Sequence, residues 1–72
     1  MGSELTVAIY ELLTEDKPVT AAGAAYLLRN DFVPIVLSAE AEQSLDWLRR
    51  NGYAKTNGDN GFGMEYLKTR KE

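Results

Sequence analysis

Cysteine and histidine are both absent from this chain of 72 residues. Without cysteine there is no disulfide and no thiolate ligand for a metal, so a zinc site would have to use carboxylates alone. Without histidine a Ser-His-Asp set is impossible, and general-base catalysis loses the side chain that most often performs it. We therefore predict that the protein is not an enzyme, and we assign it no catalytic residue, no metal ligand and no cofactor.

Long apolar runs are missing as well. The longest nearly apolar run, residues 19–28, is shorter than the roughly 20 residues that a transmembrane helix needs, and Thr20 and Gly23 interrupt it. The chain also opens without the basic and then apolar pattern of a signal segment. These absences predict no membrane association and a cytoplasmic location.

The residues that are present suffice for one small folded unit with an uneven charge. Hydrophobic residues make up 44% of the chain, which is typical of a core-forming sequence, and we expect one domain over residues 1–72. The net charge is −3, but residues 1–46 carry two cations and eight carboxylates, whereas residues 47–72 carry six cations and three carboxylates. The overall acidity argues against strong nucleic-acid binding, while the basic C-terminal part keeps DNA binding open.

The spacing of apolar residues predicts two helices in the first half of the chain. The first should end near residues 14–16, because Pro18 cannot continue it. Its apolar face consists of Leu5, Ala8, Ile9 and Leu12. Thr20 is predicted to cap a second helix over residues 21–30. The residues on one face of this helix are mostly small, which lets a neighbouring helix approach closely: Ala21, Ala24, Ala25 and Leu28.

A third helix is predicted to begin behind a capping Ser38, with Ala41, Leu45 and Leu48 as its buried seam. At about 100° per residue, its opposite face carries Ala39, Gln43, Asp46, Trp47 and Arg50. For Trp47 we favour burial beneath a neighbouring segment. The alternative is an exposed tryptophan that contacts a partner protein, since tryptophan is enriched in binding hot spots.

The connection between the second and third helices, residues 31–37, is rich in β-branched residues and contains Pro34. Proline rules out a helix here and argues against a central strand, so an edge strand or an extended loop fits best. We favour an arrangement in which Phe32, Ile35 and Leu37 fill the core. The alternative is an exposed apolar edge that pairs with another chain.

A β-hairpin is predicted to follow the third helix. Gly52 stands where a helix commonly ends in a left-handed conformation, which glycine adopts without steric cost. The predicted arms, residues 53–57 and 62–68, flank a tip of asparagine, aspartate and glycine residues that tolerate positive φ.

These features resemble a winged helix-turn-helix domain over residues 5–69. The seam of the third helix and the corner after it resemble the last helix and the start of the wing in such domains. The residues that carry this resemblance are Leu45, Leu48, Gly52 and Tyr53. The opening of the second helix is similar to that of bacterial regulators through Pro18, Val19, Thr20, Ala24 and Ala25, and the closing strand through Tyr66, Leu67, Lys68 and Thr69. The resemblance implies an α+β fold, mostly α, in which a C-terminal hairpin wing at about residues 53–69 follows three helices.

The resemblance also implies a small DNA-binding transcriptional regulator, for which a dimer on two half-sites of double-stranded DNA is one arrangement. Cations would neutralise phosphates and polar side chains would read base edges. The predicted DNA contacts are Gln43, Arg49, Arg50, Lys55, Asn57, Lys68 and Arg70. We expect modest affinity led by the wing, because the first turns of the third helix carry Glu40, Glu42 and Asp46 and no cation. Asp46 also stands at ion-pair spacing from Arg50.

The alternative function is an acidic winged-helix module, of the type found among phage and mobile-element products, that binds host machinery rather than DNA. Large apolar residues outnumber the inward positions of so small a domain, which indicates a second buried surface: a partner site or a homodimer contact. The predicted partner contacts are Trp47, Phe32, Val33, Tyr10 and Tyr26. DNA binding ranks slightly ahead, by fold-level analogy.

Overall fold

The computed structural model describes residues 4–61 and 63–69. Within these residues, three α-helices and a three-stranded antiparallel sheet form an α+β fold. The elements in chain order are α1 (Glu4–Leu12), β1 (Val19–Thr20), α2 (Ala21–Leu27), α3 (Ser38–Arg50), β2 (Ala54–Asp59) and β3 (Met64–Lys68). The three predicted helices and the hairpin are confirmed. The two-residue strand β1 is an addition that the sequence pattern does not predict.

The first two helices bury the faces that their spacing predicts. In α1, Ile9 is fully buried, and the other three predicted residues are partly buried against the core. Thr20 has an extended backbone, and its side-chain oxygen accepts a hydrogen bond from the Gly23 amide at 3.0 Å, which confirms the predicted cap. Helix α2 ends at Leu27 rather than at residue 30, because Leu28 leaves the helical conformation as the C-cap.

Helix α3 supplies the centre of the core. Ala41, Leu45 and Leu48 are all fully buried, as predicted. The N-cap is Leu37, so the expected cap at Ser38 is wrong by one residue. Leu37 is extended, and its amide donates to a carboxylate oxygen of Glu40 at 3.0 Å, which satisfies the amide without a capping side chain on the N-cap residue.

The sheet has the order β1-β3-β2. Tyr66 in the central strand pairs with Thr56 of β2 on one side and with Val19 of β1 on the other. The register of β2 shifts between Thr56 and Asp59, where Gly58 has a positive φ of 90°. This irregularity lets β2 run to Asp59, so the turn lies further along the chain than the predicted tip. Phe62, predicted to open the second arm, lies outside the described residues.

Residues 31–37 correct one prediction. The segment forms turns and bends and carries no strand. Val36 is buried and Phe32 is partly buried, whereas Ile35 and Leu37, which we expected in the core, are exposed. Pro34 is exposed as well, so Val36 is the one buried side chain among residues 33–37, and Ile35 and Leu37 lie on the outer side.

None of the helices among residues 4–61 and 63–69 has the length and apolar character needed to cross a membrane.

Candidate functional site

The outer face of α3 lies opposite its buried seam. Ala39, Gln43 and Arg50 are exposed there, and Asp46 is half-buried. The side chain of Gln43 forms no hydrogen bond to any other residue that the structure describes. The predicted outward set is thus confirmed in position, because the buried seam leaves these side chains no other direction.

The two arginines at the end of α3 are held by a single carboxylate. Arg49 Nη2 lies 2.6 Å from Asp46 Oδ1, and Arg50 Nε lies 2.8 Å from Asp46 Oδ2. The hydrogen bond from Arg49 lowers the pKa of Asp46, and the charges of Arg50 and Arg49 add to this effect. The pair with Arg50 agrees with the sequence spacing, and the pair with Arg49 is additional. Both predicted phosphate contacts on this helix are therefore partly neutralised within the chain.

A depression of about 410 Å³ lies between α3 and the central strand of the sheet. Its lining consists of Ala39, Glu42, Gln43, Asp46 and Tyr66. Tyr66 is only 5% exposed. Burial raises the pKa of its phenol, and the carboxylates of Glu42 and Asp46 raise it further, so the hydroxyl stays protonated near neutral pH. Two carboxylates, Glu42 and Asp46, line the depression, and Glu42 is the one of the two that forms no ion pair with a described residue.

The hairpin offers few free cations. The side-chain amides of Asn57 and Asn60 donate to the two carboxylate oxygens of Glu65, at 3.3 and 3.0 Å. The ammonium of Lys68 lies 4.3 Å from the centre of the Tyr10 ring, at the base of the hairpin rather than at its tip. Lys55 is exposed and forms no ion pair with a described residue. Arg70 lies outside the described residues.

Three aromatic rings form a row beside α3. The Trp47 and Tyr53 rings are stacked, with 6.1 Å between their centroids and 7° between their planes. Tyr53 meets Tyr10 edge-on, with 5.8 Å between the ring centroids. Trp47 remains 38% exposed, so the burial that we favoured is wrong. The ring lies over Tyr53, the first residue after the Gly52 corner, and this contact covers one face of the indole while the rest stays accessible.

Among the large apolar side chains of the described residues, the five with the highest exposed fractions lie in one stretch, residues 26–37, which we call the apolar segment. Its exposed members are Tyr26, Leu27, Val33, Ile35 and Leu37. Val33 is 100% exposed and Tyr26 is 62% exposed, so both of these predicted partner contacts are accessible at the surface. The other two predicted partner contacts outside α3, Phe32 and Tyr10, are half-buried against the core.

Three members of the apolar segment were not among the predicted contacts: Leu27, Ile35 and Leu37. Among residues 33–37 only Val36 is buried, so no period indicated that Ile35 and Leu37 are exposed, whereas Leu27 lies off the predicted buried face of α2, and that spacing was the available signal for it. The segment also contains Arg29, whose guanidinium lies 3.9 Å from the centre of the Tyr26 ring and donates to the Tyr26 carbonyl at 2.7 Å. The arginine therefore covers part of one ring and leaves the aliphatic side chains exposed.

Comparison of the chain with protein-family models, with curated proteins and with solved structures found no match.

Proposed function

We propose that this chain is a winged-helix domain that works as a protein-binding module. The winged-helix assignment is supported by the order of the elements, in which a hairpin follows three helices and α3 has one buried side and one open side. The hairpin would be the wing. The assignment rests on this order and on the sequence resemblance.

The observation that carries the protein-binding proposal is the apolar segment. Exposed apolar side chains that occur singly need no explanation, but five large ones within twelve residues are typical of an interaction surface. Their partial exposure keeps apolar area in water, and contact with a partner would remove it. Most of the segment, residues 28–37, is the connection between α2 and α3, and binding residues often lie in such connections.

The charge of the surrounding residues indicates the character of the partner. Residues 4–46 carry eight carboxylates against Lys17 and Arg29, and Arg29 already lies over Tyr26. A partner with an apolar centre and a basic rim would complement this half of the molecule, and its association would be accelerated by the opposite charges. We therefore propose a basic protein as the partner.

DNA binding is the second candidate. It is favoured by the open outer face of α3, where Gln43 is exposed, and by the exposed Lys55 on the hairpin. It is opposed by contacts within the chain. Asp46 forms ion pairs with both arginines of α3, and Glu65 accepts a hydrogen bond from the side-chain amide of Asn57. Phosphate affinity depends on free cations, so protein binding is the better-supported function.

Site-specific photocrosslinking tests the first proposal. A photoreactive amino acid is placed at Val33, and a matched variant carries it at Lys17, an exposed position outside the apolar segment. We expect one protein to be captured from Val33 and not from Lys17, and the purified partner to bind the wild-type chain by calorimetry. In the variant Val33→Asp with Ile35→Asp, this binding should be lost, because charges would replace the buried apolar contacts.

Two outcomes would contradict this proposal. Equal capture from Val33 and Lys17, or unchanged affinity of the purified partner for the double variant, would place the contact elsewhere. Capture of a second copy of the chain would identify a homodimer interface instead.

An NMR titration with mixed-sequence duplex DNA at low salt tests the second candidate, which requires saturable shifts on α3 and the hairpin that added salt reverses.

A further inference from the structure

The depression beside α3 contains a buried polar group that no contact of the fold accounts for. The Tyr66 residue is only 5% exposed. Its hydroxyl nevertheless forms no hydrogen bond with any residue that the structure describes. No fully enclosed side-chain nitrogen or oxygen among the described residues lacks a partner. The Tyr66 hydroxyl must therefore reach the open space of the depression.

The groups that line the depression beside this hydroxyl are mostly hydrogen-bond acceptors, and the nearby cation Arg49 is paired with Asp46. Both oxygens of Asp46 are already occupied by Arg49 and Arg50. Glu42 is exposed and forms no ion pair with a described residue, and its charge acts on the Tyr66 phenol. The side chain of Gln43 is likewise free of hydrogen bonds to described residues. The depression thus presents a carboxylate, an amide oxygen and a phenol oxygen that are all available.

We propose that this depression receives an arginine side chain of the protein partner, held by Glu42, Gln43 and Tyr66. The inference rests on the proposed function, and it adds the chemistry of one contact. A basic side chain from the partner would meet the unpaired carboxylate of Glu42, in agreement with the acidic charge of residues 4–46.

Guanidinium fits this set better than ammonium does. Arginine presents five N–H donors in a planar fork, so one group can reach acceptors on both α3 and β3 at once, and its weaker hydration lowers the cost of leaving water. Lysine would act as a compact, strongly hydrated charge and would satisfy the acceptors less completely. A phosphate fits this set less well, because the unpaired carboxylate of Glu42 would repel it.

Two peptides test the proposal directly. They are acetylated and amidated pentapeptides with arginine or lysine at the centre of four alanines, titrated at constant ionic strength into isotopically labelled protein. We expect saturable NMR shifts at Ala39, Gln43 and Tyr66 with the arginine peptide, and affinity lower by about fivefold or more with the lysine peptide. Equal responses to the two peptides, or no saturable shift at the depression, would overturn the proposal.

Three variants separate a specific site from general attraction. Glu42→Gln and Glu11→Gln each remove one negative charge, but Glu11 is exposed on α1, outside the depression. Tyr66→Phe removes only a hydroxyl that bonds to no described residue, so the fold should persist. Glu42→Gln should weaken the arginine peptide by about tenfold, within the range for a charge-assisted hydrogen bond, and Tyr66→Phe by a smaller factor. Glu11→Gln should leave the affinity unchanged, and equal effects of Glu42→Gln and Glu11→Gln would overturn the site.

The two proposals can fail separately. If the peptides do not bind while the Val33 crosslink identifies a partner, the arginine site is wrong and the protein-binding function stands. If the arginine peptide binds at the depression while no partner is captured at Val33, the site stands and the apolar segment is not the contact surface.

Discussion

The outer face of α3 and the apolar segment are both exposed, but their side chains differ in whether they have partners within the chain. On α3, Asp46 binds two arginines within two turns of the same helix. In the apolar segment, Val33, Ile35 and Leu37 meet water instead. Charges three or four residues apart on a helix can satisfy one another within the chain, whereas an exposed apolar side chain gains free energy only when another surface covers it.

The difference has a magnitude. Fully burying a large aliphatic side chain contributes about 1.5–3 kcal/mol, while an exposed ion pair contributes about 0–1 kcal/mol. Several apolar side chains of the segment together can therefore exceed the ordering and association costs of binding, and the paired charges of α3 cannot. This difference is the physical reason for ranking protein binding above DNA binding.

The largest expected effect separates the inner and outer sides of α3. Leu45→Ala should lower the free energy of unfolding by about 2–5 kcal/mol, because Leu45 is fully buried and its truncation leaves a cavity. Gln43→Ala, on the exposed side, should change it by less than about 0.5 kcal/mol. Urea denaturation of both variants measures the difference. A small loss for Leu45→Ala would contradict the described core.

A matched pair of valines divides the apolar segment itself. Val36 is 7% exposed and Val33 is 100% exposed. Val36→Ala should cost about 1.5–3 kcal/mol, from two lost methyl groups and a partial cavity. Val33→Ala should leave the free energy of unfolding within about 0.5 kcal/mol of wild type. The same variant should weaken binding of the captured partner. If the two variants are equally destabilised, the placement of Val36 in the core and of Val33 at the surface is wrong.

The charges of α3 can be released by one substitution. Asp46→Asn removes the carboxylate that holds Arg49 and Arg50. If this face contacts DNA, affinity should rise severalfold, and the slope of log K against log salt should steepen by up to about 2, one unit for each freed cation. Glu11→Gln is the control with the same charge change. Equal effects of the two substitutions would mean that the arginines do not contact phosphate.

The smallest effect is the pH dependence of Asp46. Its pKa is lowered in the folded state, mainly by the hydrogen bond from Arg49. A lowered pKa contributes stability above the unfolded value of about 3.9, and this contribution disappears as the pH falls through the folded value. The unfolding curves of wild type and Asp46→Asn should therefore differ slightly at pH 6 and converge below pH 4. A difference that grows on acidification would contradict this ion pair.

The sequence predicts the parts of the molecule that depend on local periodicity. The seam of α3, the cap at Thr20 and the left-handed Gly52 follow from spacing and residue type, because helical geometry and backbone sterics act over a few residues. The ion pair between Asp46 and Arg50 follows for the same reason. The arrangement of residues 31–37 was predicted only in part, since an irregular segment has no period long enough to identify its inward side.

The candidate sites depend on longer distances. Trp47 and Tyr53 are six residues apart, and the helix end between them decides that their rings stack. The depression combines Glu42 and Gln43 of α3 with Tyr66 of β3, and the pairing of β1 with β3 joins residues nearly fifty positions apart. The sequence by itself determined the helices, the hairpin and the uneven charge. Only the tertiary structure decided which apolar side chains stay in water and which carboxylates remain unpaired, because both depend on packing between segments distant in the chain.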